Sequence, residues 1–250
     1  MIIMSKIKYK CIANDILLNF DKSKILISFD DEQLNKIARC KFIEYKIKKH
    51  IITNIPSNIK SIEFTGWFNM DIQPYLHVSI EMLIFGHEFN QPIDNLPSGL
   101  KKLILGANFN QKVNNLPSCL LMLIIGGSFN QSVDMLPESI ESISFSGCFN
   151  QKVNNLPSNI KIVRLFGYSF SQSIDSLPDS VEILEFNSRC NISINKLPHN
   201  LKQLKFINIY INKLPHNLQQ LKFINIGNIS SNIDCEIIKK LTNAKIKLVY

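Results

Sequence analysis

Apolar positions in this chain follow one short template again and again. In the stretch that opens at Leu100, Leu103 and Leu105 alternate with Lys102, Ile104 and Gly106, the period of two that marks a β-strand. The same L-x-x-L-x-L spacing opens at Ile59, Ile80, Leu100, Leu120, Ile140, Ile160, Val181, Leu201 and Leu218. A unit of 20 residues is too short for a helix-pair repeat, which needs about 33. It suits one coil of a solenoid: a short strand, a turn and a compact return path. Nine such strands stacked in parallel make a sheet about 40 Å long at ~4.8 Å per strand.

The polar stretch between strands is repeated as faithfully. "FNQKVNNLPS" stands at 109–118 and again at 149–158, with "FNQSVDMLPE" at 129–138. Phe68, Phe89, Phe109, Phe129, Phe149 and Phe170 recur 20 or 21 residues apart, and Cys190 takes the next place. One phenylalanine on the same corner of every coil predicts a buried spine of stacked rings. Asn69, Asn90, Asn110, Asn130 and Asn150 follow those rings, where stacked amides can satisfy backbone groups between coils. Pro97, Pro117, Pro137, Pro157, Pro178 and Pro198 lie eight residues after each anchor. A residue with no N–H to give belongs on the return path and not in the sheet. Glycine after the strand (Gly86, Gly106, Gly126) predicts a turn with positive φ.

"FNQPIDNLPSGLKKLILGANFN" at 89–110 resembles the FNIP repeat, a short class within the leucine-rich-repeat superfamily. The resemblance covers about 51–226. It implies a leucine-rich-repeat-like, β-rich solenoid with a parallel sheet on one face and, as in the short bacterial type of repeat, extended return paths. FNIP-repeat proteins are known mostly from amoebae and the large DNA viruses that infect them. Many carry an F-box ahead of the repeats, which implies a substrate-recognition subunit of a ubiquitin ligase and a ligase adaptor as one partner. Residues 1–50 contain no proline, whereas an F-box opens with a Leu-Pro pair, so this segment is read first as a cap and second as a degenerate F-box. The last repeats also depart from the pattern. "KLPHNLKQLKFINI" at 196–209 returns at 213–226 as "KLPHNLQQLKFINI", only 17 residues on.

A solenoid exposes its core at both ends, so 1–50 and 227–250 are expected to cap the repeats at 51–226. In the first, "KILISF" is strand-like and "DDEQLNKIARCKFIEYKIKKH" is helix-like, with acids at its start and lysines at its end, as the helix dipole prefers. In the second, a short helix is expected over Ile237, Ile238 and Leu241, then a strand over 246–249.

Composition narrows the function. The chain is 45% hydrophobic and 19% charged, as globular domains are. Its net charge of +8 resolves into +5 over 1–50, −4 over 51–195 and +7 over 196–250. A mildly acidic middle argues against a phosphate-binding stripe along the repeats, and so against nucleic acid. The longest apolar run, "LLMLII" at 120–125, is far short of the ~20 residues of a membrane span. Six cysteines without a C-x-x-C pair suit a reducing compartment, giving a cytoplasmic expectation, in the host cell if the source is viral. Neither Cys nor His shows zinc-ligand spacing. Asp94, Asp134 and Asp175 share one repeat position with Asn114 and Asn154, which favours a turn role over a metal ladder. With no phosphate-loop, nucleophile-elbow or zinc-protease motif, neither enzyme nor cofactor is expected.

What remains is the outward face of the sheet. The third and fifth positions of the unit point out, and in coils two to four they are Met82, Ile84, Lys102, Ile104, Met122 and Ile124. Apolar residues crowd a face that should be solvated, with glycines beside them that would let a partner approach. The next coil offers only Ser142, Ser144 and Ser146. The reading is a non-enzymatic protein-interaction module that binds through this patch.

Overall fold

The computed structural model describes strands within 8–29, residues 60–187 apart from 67, 72, 74, 75 and 77, residues 194–207, and strands at 223–227 and 247–249. Its strands are β1 (Lys8–Cys11), β2 (Ile16–Asp21), β3 (Lys24–Phe29), β4 (Ser61–Gly66), β5 (Met82–Phe85), β6 (Lys102–Leu105), β7 (Met122–Ile125), β8 (Ser142–Gly147), β9 (Ile162–Gly167), β10 (Ile183–Asn187), β11 (Gln203–Ile207), β12 (Phe223–Gly227) and β13 (Lys247–Val249). They form one sheet whose strand order is the chain order. β1, β2 and β3 pair antiparallel, and every later pair is parallel. The fold is thus a parallel-strand β-solenoid with coils of about 20 residues. From β5 to β10 the stretches between strands hold turns, bends and irregular chain, with no helix.

Each coil closes on the same few residues. The first, fourth and sixth positions of the unit are buried from Ile80, Leu83 and Phe85 through Val181, Leu184 and Phe186, none more than 2% exposed. After the proline the chain turns back into the sheet, as Leu100 N–H donates to Pro97 O at 3.0 Å and Leu120 N–H to Pro117 O at 3.1 Å. Phe68, Phe89, Phe109, Phe129, Phe149 and Phe170 lie in the core, each at most 1% exposed. Their rings stack from coil to coil with centroids 6.0–6.2 Å apart. Phe64, Phe85 and Phe145 add a second ring inside their own coils, 4.3, 3.8 and 3.9 Å from the spine. Burying each ring stabilises the coil by about 1.5–3 kcal/mol.

A polar ladder fixes the same corner. Asn69 Oδ1 accepts the N–H of Asn90 at 2.9 Å, Asn90 Oδ1 that of Asn110 at 2.9 Å, Asn110 Oδ1 that of Asn130 at 3.0 Å, and Asn130 Oδ1 that of Asn150 at 2.9 Å. The glutamine that follows each asparagine reaches back to the same oxygen: Gln91, Gln111, Gln131 and Gln151 donate through Nε2 at 3.0–3.1 Å. The F-N-Q triplet therefore couples ring stacking to hydrogen bonding across every coil boundary from 69 to 151.

Three expectations about the backbone come out differently or fall elsewhere. Gly86, Gly106 and Gly126 do not adopt positive φ; among the described glycines Gly147 does, at 63°. At Gly106 and Gly126 the preceding coil approaches too closely for a side chain. A Cβ at Gly106 would run into the carbonyl of Gly86, and one at Gly126 would lie 2.7 Å from the carbonyl oxygen of Gly106. The second change is at β12. The 17-residue duplication places its strand at 220–224, but β12 begins at Phe223 and pairs Gln203 with Phe223, an offset of 20. Seventeen residues are too few to complete the circuit that the other coils need about 20 for. Third, the helices expected within 30–50 and 234–241 lie outside the described residues. β3 occupies the "KILISF" stretch and continues the sheet in register with β4.

Candidate functional site

The in-register parallel sheet brings the outward residues of β5, β6 and β7 into two rows that cross the strands. Met82, Lys102 and Met122 are register partners in one row, and Ile84, Ile104 and Ile124 in the other. All six are half-buried, because partners on strands ~4.8 Å apart lean on one another. The inward neighbours Leu83, Leu103 and Leu123 are fully buried, so the strand alternates cleanly between core and outer face.

The patch has a polar border. On β8 the outward Ser142 and Ser144 are 7% and 8% exposed, more hidden than the apolar residues beside them. Their register partners explain this: short side chains sit between Met122 and Ile162, and between Ile124 and Arg164. Arg164 Nε donates to Glu185 Oε2 at 2.7 Å, with side chains 30% and 14% exposed. Arg164 Nη1 also lies 3.5 Å from Ser142 Oγ. The border is thus a serine floor under an ion pair spanning β9 and β10.

Lys102 has no such counterpart. It makes no ion pair or side-chain hydrogen bond among the described residues, although its neighbour Lys101 is 2.8 Å from Glu81. Glu81 in turn is 3.2 Å from Lys60, and hydrogen bonds from Lys101 and Lys60 hold its carboxyl below the usual range. These three belong to a series that the sequence reading missed. Lys60, Glu81, Lys101, Leu121, Glu141, Lys161, Glu182 and Lys202 share the position just before the strand and alternate in sign except at Leu121, which is 41% exposed. Alternation at a 20-residue interval was the signal that could have found it. Gly106 and Gly126, read as room for a partner, also stand where a Cβ would meet the backbone of the preceding coil.

Other candidate chemistry stays dispersed. Asp94 and Asp134 accept from Asn115 and Asn155 of the following coil at 3.0 Å. Asp175 accepts from the amides of Asn195 and Lys196. His87 pairs with Glu88 and His199 with Asp179, each at 2.8 Å on exposed surface. Among the described residues no three of His, Cys, Asp or Glu form a group able to hold a metal ion.

The repeated F-N-Q and L-P positions match the FNIP repeat over 68–108, 89–128, 109–148, 149–189 and 170–208, together more than half of the chain. The chain belongs to the FNIP repeat family. Among curated proteins none matches it. A solved structure, described as that of CroV588, a novel circular LRR protein, is similar at 24% identity and a TM-score of 0.42. The similarity covers 84% of this chain and 48% of that one, so the FNIP-repeat chain spans about half the length of the circular protein.

Proposed function

We propose that this FNIP-repeat chain binds a protein partner through the outward face of β5–β7. The observation that carries the reading is the pair of rows: five apolar side chains and one lysine, in register on three adjacent strands and half-buried on the outer face. Contiguous apolar area of this kind marks an interface more often than a solvated surface does. The strands beneath are held by the buried spine and the asparagine ladder, so a partner meets a preformed surface and little free energy goes into ordering it.

The test replaces Ile104 and Ile124 with lysine together. Both side chains point away from the core, so circular dichroism and the melting transition should remain those of the native chain. Capture of the principal partner should be lost. A folded double variant that still binds shows that the site is elsewhere. Collapse of the fold, with Ile104→Ser and Ile124→Ser failing in the same way, shows that the face supports the core and is not free to bind.

A further inference from the structure

We infer that the partner segment seated on this face is an amphipathic helix that carries one acidic side chain between two apolar ones, each about a turn away. The inference rests on the reading of the face as a protein-binding site and specifies what it takes. Three observations support it.

The first is charge. Lys102 stands on the central strand of the patch, with Met82 and Met122 as its register partners and no carboxylate in reach among the described residues. A partner that covers the five apolar residues also covers this ammonium, and a covered charge without a counter-charge is costly. An acidic group over Lys102 removes that cost. The second is the local contrast. The border cation Arg164 already has Glu185 at 2.7 Å, and Lys101 already has Glu81 at 2.8 Å. Among the described residues of this region, Lys102 is the cation left for an incoming anion.

The third is spacing. From Met82 across Lys102 to Met122 is two strand-to-strand steps, about 9.6 Å. A helix laid across the strands places residues i, i+4 and i+7 over about 10.5 Å, one for each strand. An extended segment puts same-face residues about 6.8 Å apart and falls out of step with the strands after one residue. The helix therefore sets apolar side chains over Met82 and Met122, whose thioethers adapt to varied shapes, and the carboxylate over Lys102. Its flank rests on the Ile84, Ile104 and Ile124 row.

The experiment uses displayed libraries of helical peptides with positions i, i+4 and i+7 randomised, and a matched library of extended peptides. Both are selected on the full native chain and on the Lys102→Glu chain. The native chain should enrich Asp or Glu at i+4 with apolar residues at i and i+7, and Lys102→Glu should enrich Lys or Arg at i+4. Exchanging the acid of the best native binder for lysine should weaken it at least about tenfold on the native chain and restore it on Lys102→Glu. Helical binders that need Ile104 and Ile124 yet show no preference at i+4, or extended peptides that outcompete helical ones, overturn the inference and leave the site standing. Binders indifferent to the Ile104→Lys, Ile124→Lys double substitution, or none from either library, overturn the site reading as well.

Discussion

Phe145 and Phe149 form a close ring pair within one coil, centroids 3.9 Å apart and planes 7° from parallel. Phe149 also stacks on Phe129 and Phe170 at 6.0 Å, and neither member of the pair is more than 1% exposed. Phe149→Ala removes the ring from a site that both neighbouring coils hold open, so the cavity cannot easily collapse. The expected loss is about 3–5 kcal/mol. A double-mutant cycle with Phe145→Ala isolates the pair, and stacking should contribute a coupling of about 0.5–1.5 kcal/mol beyond area burial. The control is two coils away: the ring of Phe109 has Leu105 at the position equivalent to Phe145, so the Leu105→Ala, Phe109→Ala cycle carries cavity coupling without an aromatic part. Urea unfolding followed by circular dichroism gives each value, with Phe149→Leu measured beside Phe149→Ala in case the latter is too weakly folded. A loss below about 1 kcal/mol for Phe149→Ala would refute burial of the spine. Equal coupling in the two cycles would refute the stacking contribution.

Gly106→Ala should destabilise by about 1–3 kcal/mol, since its Cβ meets the backbone of Gly86, while Gly127→Ala, 3.0 Å from Ala107 O, should cost less; thermal melts that rank them in reverse refute the close-approach account. Asn110→Ala strands the N–H of Asn130 and the amide of Gln131 and should cost about 1–2 kcal/mol, whereas Asn110→Asp keeps the acceptor and should cost less at neutral pH. Stability should also fall in acid. Bonds from Lys101 at Glu81, Lys202 at Glu182 and His199 at Asp179 lower those carboxyls, and at Asp175 partial burial pushes up but bonds from Asn195, Lys196 and Ser173 outweigh it. A carboxyl whose folded value is depressed stabilises the fold above its unfolded value and stops doing so as pH falls through the folded one. Urea midpoints should therefore decline below the ordinary values of 4.5 for Glu and 3.8 for Asp, and less so for the exposed pairs in high salt; a flat profile there contradicts the assignment.

Repetition is what made the fold legible. The unit opening at Leu100 placed a strand where β6 stands, and its neighbours repeat the same evidence at 20-residue steps, so local ambiguity averages out. Single-copy segments lack that averaging. β1 and β2 were not read from 1–50, where "ILLNF" has apolar residues at both parities and no second copy to compare. The strand expected over 246–249 does stand at Lys247–Val249. In β12 a local duplication suggested a 17-residue step, while the register follows the circumference of the coil. At the candidate site, parity alone tells which residues share the outer face. It does not tell that Ser142 and Ser144 are hidden or that Arg164 is neutralised, because each depends on residues one coil before and one after. The role of glutamine in F-N-Q escaped for the same reason: its acceptor lies 21 residues back.

Because strand order is chain order, each described strand is hydrogen-bonded to the one before it and the one after it. Tension applied between two points on the chain therefore loads the coil boundaries in series, and the sheet peels instead of shearing as a block. Each coil that detaches gives up about 4.8 Å of sheet and releases about 20 residues of slack, roughly 70 Å when drawn out. The molecule can lengthen more than tenfold per coil. Coils still attached keep their strand pairing, and those between 68 and 170 keep ring stacking and amide ladder as well, so that on release the shortened remnant is a template onto which the slack can rewind.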